Sequence, residues 1–175
     1  YIASGMRRGG NNYYALDVTN RIVPTLKWVI QSGATGFEDL GQTWSTPIKT
    51  KVKKGNTTKN VLIFGGGYDP IQDTVTTRTA DSKGTGLYVI DVADGSIVYS
   101  KTDLNYAIPS DIKAIDLDGD GTTDQIYAGD MGGQILRFDL DGSNSMSTSI
   151  IANIASTGQL NNRRFYHAPD VSVLA

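Results

Sequence analysis

A chain of 175 residues, 39% of them apolar, can bury a core of its own, and no apolar run approaches the ~18 residues of a membrane helix. Its 16 basic and 18 acidic residues leave a formal charge of −2, which speaks against nucleic acid as the main partner, since such domains carry a basic excess. Cysteine is absent, which removes disulfides, zinc–thiolate sites and thiol catalysis. Seventeen of the acids are Asp, and Glu38 is the one Glu, while Gly makes up 20 residues. Asp favours turns, caps and hard-cation sites, so this composition reads as all-β with many tight turns. The chain starts at Tyr1 with no charged leader or cleavage site, and so reads as a piece of something longer.

The expected strands fall into four kinds of run. Tyr1 to Gly5 is a short apolar run ending at glycine. Gly9 to Val18 follows, with Gly, an alternating apolar stretch and the triplet Leu16-Asp17-Val18. Thr25 to Ile30 is a third run. Trp44 to Lys49 then opens a new series that continues through Val61–Gly65, Gly84–Val92 and Ser96–Tyr99. The series recurs as Asp111–Ile115, Gln125–Gly129, Gly132–Leu140 and Ser149–Ala152. His167 to Val173 resembles the start of one more unit. With the runs named A to D, the order is BCD, ABCD, ABCD, A.

Four short strands per repeat, joined by turns, is the pattern of β-propeller blades. The expected blades are 1–31 (partial), 43–102, 110–155 and 164–175 (partial). Asp91 and Asp139 lie 48 residues apart, close to the ~40–50 of a blade. Asp17 and Asp91 lie 74 apart, so the middle unit carries an insertion, expected in the loops Lys51–Asn60 and Tyr68–Lys83. A doubly wound parallel sheet fails because no 10–15-residue amphipathic helix separates the runs. Partial units at both ends point to a fragment of a larger ring; a small ring closed by the last strand is the alternative. Val61–Phe64 and Leu87–Ile90 should be antiparallel neighbours with Val89 in the core.

The strongest motif is Asp116-Leu117-Asp118-Gly119-Asp120-Gly121-Thr122-Thr123-Asp124, a D-x-D-x-D-G-x-x-D loop between two expected strands. Calcium takes six to eight oxygen ligands, and a turning loop wraps them around the ion. Asp116, Asp118 and Asp120 offer carboxylates, Thr122 its backbone carbonyl, and Asp124 a carboxylate acting directly or through water. Gly121 permits the sharp turn. The twelfth loop position, Glu in an EF-hand, is Tyr127, which lowers the expected affinity. Calcium is expected over magnesium, because a flexible loop with this ligand set suits the larger ion. It would serve either as a structural staple or as a switch.

These pieces together resemble the C-terminal propeller of PilC/PilY-type type IV pilus biogenesis proteins. The resemblance lies in Gly5-Met6-Arg7-Arg8-Gly9-Gly10 before Tyr13–Val18, in Trp44-Ser45-Thr46-Pro47 and in Phe64–Asp69. It continues in Asp116–Asp124 running into Ala128-Gly129-Asp130, and in Arg163–Tyr166. It implies a seven-bladed propeller, a single calcium site on Asp116, Asp118, Asp120, Thr122 and Asp124, and no catalytic role. It further implies export to the bacterial cell surface, association with the pilus or outer membrane, and work in pilus extension and retraction, twitching motility and adhesion. The partners implied are pilus or minor-pilin components and a host surface. Two rivals stand beside it: a calcium-stabilised adhesion propeller outside the pilus system, and blades of a quinoprotein dehydrogenase. The second lacks any Asp–Glu–Arg set in a chain with one Glu.

Other motifs read as structure. Phe64-Gly65-Gly66-Gly67 is followed by Pro70 and threonines rather than a helix, so it is a turn and not a nucleotide loop. His167 has no nucleophile motif beside it. Lys51-Val52-Lys53-Lys54 reads as a solvated hairpin tip. Trp28 and Trp44 are expected in strands and in the core. Arg7, Arg8, Arg163 and Arg164 are expected to stack on Tyr13, Tyr14, Phe165 or Tyr166.

Overall fold

The computed structural model describes residues 1–143 and 145–173, and its regular structure is eleven strands with three short 3-10 turns. β1 (Ile2–Ser4), β2 (Tyr13–Asp17) and β3 (Thr25–Ile30) form one sheet. β4 (Ile48–Lys54), β5 (Thr57–Gly65), β6 (Leu87–Asp91) and β7 (Ile97–Lys101) form the second. β8 (Lys113–Ile115), β9 (Gln125–Gly129), β10 (Gln134–Leu140) and β11 (Met146–Asn153) form the third. Each sheet is an antiparallel meander with its strands in sequence order. The all-β expectation and the order BCD, ABCD, ABCD are therefore met. β5 pairs with β6 from Val61↔Asp91 to Gly65↔Leu87, across the loop at residues 66–86.

The side-chain period of two assigns each face of the middle sheet to a different neighbour. Val61, Ile63, Leu87 and Val89 point to the third sheet, where they meet Ile126, Ala128, Leu136 and Phe138. Leu62, Phe64, Tyr88 and Ile90 point to the first sheet, where they meet Tyr13, Ala15, Trp28 and Ile30. Strands buried on both faces need unbroken apolar runs, which is why Val61–Phe64 and Leu87–Ile90 do not alternate. Val89 is fully buried, as the register requires.

The repeat extends below the level of strands. A register shift interrupts β2–β3 between Ala15 and Leu16 and β6–β7 between Val89 and Ile90, equivalent places two residues before the motif Asp. Asp17 then accepts the Thr19 amide at 2.9 Å and Asp91 the Ala93 amide at 2.9 Å. In these two triplets the aspartate thus ends the strand by capping the turn after it. Asp139 departs from this: it stays inside β10 and accepts from Gln125 and Arg137.

Gly5, Gly65 and Gly129 occupy matching positions at the ends of β1, β5 and β9. A Cβ there would lie 2.4 Å from Thr43 O, 2.3 Å from Ile108 O and 2.4 Å from Phe165 Cβ, respectively. In each case the segment leading into the next unit crosses directly over the glycine. Ser45 and Ser110, two residues after Thr43 and Ile108, tie these crossing segments to the blades they lead into, each taking a glycine amide on its hydroxyl, at 2.9 Å for Gly65 and 3.2 Å for Gly129. Phe165 therefore stands where Thr43 and Ile108 stand, and its amide binds Asp130 O at 3.0 Å. Residues 164–173 follow that path but form no strand, and 174–175 of the expected partial blade lie outside the described residues.

Three further expectations need correction. Trp44 is half-buried and precedes β4, because the chain crosses Gly5 through Thr43 before it enters the sheet. Residues 51–60 are no loop: β4 and β5 extend into a hairpin closed by the two-residue turn Gly55-Asn56, with Gly55 at φ 58° and Val52 buried in the core. The insertion is carried by the loop from Tyr68 to Lys83, as expected, where the buried Asp69 takes the amides of Ile71, Ser82 and Lys83. The arginines also choose other partners. Arg7 and Arg8 lie over Trp44, Arg8 also over Tyr68, and Arg8 pairs with Asp73 through both terminal guanidinium nitrogens. Arg164 instead donates to the carbonyls of Gln72 and Val75.

Candidate metal centre

The loop 116–124 joins β8 to β9, and two sets of bonds hold its frame. Asp124 closes its base: its amide donates to Ile115 O at 2.9 Å, its carbonyl accepts from Leu140 at 2.8 Å, and Oδ2 accepts the Leu117 amide at 2.7 Å. The other set reaches the middle blade. Thr123 N donates to Lys51 O at 2.8 Å, and the Thr50 and Thr123 hydroxyls lie 2.9 Å apart. Thr122 and Thr123 are buried beneath the loop.

On this frame the carboxylates turn inward. Asp116 accepts Gly119 N on Oδ1 and Gly121 N on Oδ2, both at 2.8 Å. Asp118 Oδ1 accepts the Asp120 amide at 3.1 Å. Asp120 Oδ1 accepts the Thr122 amide at 2.8 Å and its hydroxyl at 2.6 Å. Gly119 and Gly121 take φ of 77° and 84°, the left-handed region that glycine enters at little cost. The sequence motif marks Gly121 as the turn residue; Gly119 performs the same service two residues earlier.

One oxygen from each of Asp116, Asp118 and Asp120 lies within 4.8 Å of the others, and all three residues are exposed. An all-oxygen trio on a turning loop fits a hard cation such as calcium, which the acids would hold through carboxylate oxygens. Asp124 stands outside the trio, with its carboxylate engaged at the loop base. Thr122 serves the site through the two donors that fix Asp120. Lys53 has no signal in the sequence: it lies on another blade, and its ammonium forms an ion pair with Asp120 Oδ2. That hydrogen bond, with those from Thr122, pulls the Asp120 carboxyl down to about 2.

A second carboxylate is held differently. Asp130 Oδ1 accepts the amides of Gly132 at 2.9 Å and Gln134 at 2.8 Å, and the side chain is buried. Burial pushes its carboxyl up to about 7, against those two hydrogen bonds and the attraction of Arg78; the charge of Asp81 adds to the rise. In the unfolded chain the group titrates near ~4. Between these values the folded state binds more protons than the unfolded one, so stability falls as pH rises. From pH ~5 to ~8 this group should cost about 2–3 kcal/mol. Asp130→Asn keeps the two amide bonds and should remove that slope, as read from urea midpoints at the two pH values. An unchanged slope in the variant would contradict this assignment.

Three antiparallel sheets of three, four and four strands stacked face to face, with connections crossing over glycines and an oxygen-lined loop on the third sheet, define a β-propeller with a candidate hard-cation site. The chain belongs to the PilY1 beta-propeller domain family, whose model matches residues 1–158. It is 30% identical over 144 residues to the type IV pilus biogenesis factor PilY1 of Pseudomonas aeruginosa PAO1, covering 79% of this chain and 11% of that protein. The PilY1 homolog of Xylella fastidiosa is 23% identical over 157 residues, covering 81% of this chain and 10% of that protein. The crystal structure of the Pseudomonas aeruginosa PilY1 C-terminal domain superposes with a TM-score of 0.59 at 28% identity, over 79% of this chain and 26% of that one. The chain thus spans about a tenth of the length of these curated relatives. Among the described residues no helix is long and apolar enough to cross a membrane.

Proposed function

We propose that this chain is part of a non-catalytic, calcium-binding propeller that supports pilus extension and retraction, twitching motility and surface adhesion from the bacterial cell surface. Its partners are pilus or minor-pilin components. The observation that carries the reading is the oxygen trio of Asp116, Asp118 and Asp120 within a PilY1-family propeller. The ring extends beyond these blades: Ile2, Leu16, Leu26 and Val29 leave the outer face of the first sheet apolar and exposed, like a face awaiting another blade.

Asp118 gives the cleanest test, because its carboxylate accepts one loop amide while Asp116 holds two and Asp124 closes the base. In a bacterium carrying the full-length protein, Asp118→Ala should change surface piliation or twitching while protein abundance stays level. Normal motility in a variant shown to have lost calcium would reject a switch and leave calcium as a staple. A parallel fall in abundance and piliation would point the same way.

A further inference from the structure

We propose that Lys53 is a tethered cation that competes with calcium for the aspartate loop, so that the ion enters by displacing the lysine ammonium. The inference rests on the calcium reading and names a control built into the same site. Asp120 Oδ1 is committed to the two donors of Thr122, and the oxygen facing away from them, Oδ2, is the one that Lys53 takes. A metal ligated by Asp120 and the Lys53 ion pair therefore draw on the same oxygen.

The backbone of Lys53 is fixed beside the loop. Its carbonyl accepts the Tyr99 hydroxyl at 2.6 Å, and the same hydroxyl contacts Ser143 O at 2.7 Å on the third blade. Two residues further on, Gly55 N donates to Gly142 O at 2.7 Å. Two residues back, Lys51 O receives the Thr123 amide from the loop itself. Backbone bonds on both sides thus lock β4 to the third blade and hold the ammonium at a high effective concentration beside the acids. Its charge balances the carboxylates in the absence of metal, and a divalent ion has to overcome both the ion pair and the repulsion of a nearby positive charge. The site would then fill only at calcium levels high enough to displace the lysine.

The test is calcium titration of the 175-residue chain by calorimetry, with terbium luminescence as a second readout. Lys53→Met should bind calcium roughly three- to fivefold more tightly than the parent, the scale of one partly exposed ion pair removed from competition. Lys53→Arg keeps the charge and should stay within about twofold of the parent. Lys51→Met removes a positive charge from the same strand without touching Asp120 and should also stay within about twofold. Equal affinity of Lys53→Met and the parent would overturn the proposal while leaving calcium binding intact. An equal gain from Lys51→Met would overturn it too, by assigning the effect to general charge. No calcium binding by any of these chains would instead overturn the calcium reading on which it rests. Lys53 is half-exposed, so melting curves should show all variants folded.

Discussion

Val89→Asp is expected to abolish cooperative folding at room temperature. Val89 is fully buried in the middle of β6, between Ile63 on β5 and Tyr99 on β7, and faces the core shared with the third sheet. A carboxylate there would lie among apolar side chains, beside a Tyr99 hydroxyl already bonded to the Lys53 carbonyl, and it also removes two methyl groups from a packed site. Burying an unpaired charge and losing that packing cost more than about 4 kcal/mol together, against a total stability of roughly 5–15 kcal/mol for a domain. Leu26→Asp is the matched control, since Leu26 lies on the exposed outer face of the first sheet and should shift stability by less than about 0.5 kcal/mol. Urea unfolding followed by Trp28 fluorescence reads both. A cooperative transition for Val89→Asp near the parent midpoint would contradict the two-faced burial of the middle sheet.

Gly65→Val should cost about 3 kcal/mol or more, as an overpacked site between two blades. The atom in its way is the backbone carbonyl of Ile108, 2.3 Å from where a Cβ would stand, with Ile108 Cγ2 at 2.6 Å. Backbone cannot swing aside as a side-chain tip can. Relief requires the segment leading to the third blade to lift, which would also pull on the Gly67 amide bonded to Ile108 O at 3.0 Å. Gly55→Ala separates this crowding from conformational cost: nothing lies within 4 Å of a Cβ placed on Gly55, so its positive φ alone should cost about 1 kcal/mol. Equal losses for the two variants, measured by denaturant midpoints, would remove the crossing glycine from the account.

Much of this architecture is legible in the residues because the blade repeats its chemistry. Thr25–Ile30 matches β3 residue for residue, and the aspartate loop lies between β8 and β9 where the motif places it. The motif also names the three acids that converge, since spacing by two on a tight turn is local geometry. What stays hidden depends on contacts distant in sequence. Trp44 looks like a strand residue by composition, but its place is decided by the crossing over Gly5. Lys51–Lys54 looks like solvated lysine, yet Val52 fills the core and Lys53 reaches an acid 67 positions away. The arginine partners fail for the same reason: Trp44, Tyr68 and Asp73 come together through the fold, not through any spacing. Loop position makes Asp124 a further expected ligand; the fold adds that its Oδ2 accepts the Leu117 amide at the loop base and that the converging trio is Asp116, Asp118 and Asp120.

A crystal of the chain grown with calcium and recorded at a wavelength that shows the ion's anomalous signal decides the matter. The account predicts one peak inside the loop, with oxygens of Asp116, Asp118 and Asp120 at ~2.3–2.6 Å and the Lys53 ammonium moved off Asp120. Adding zinc at equal concentration should leave that peak in place, since every proposed ligand is oxygen. Only water between Asp116 and Asp120, with Lys53 still paired to Asp120, would contradict it.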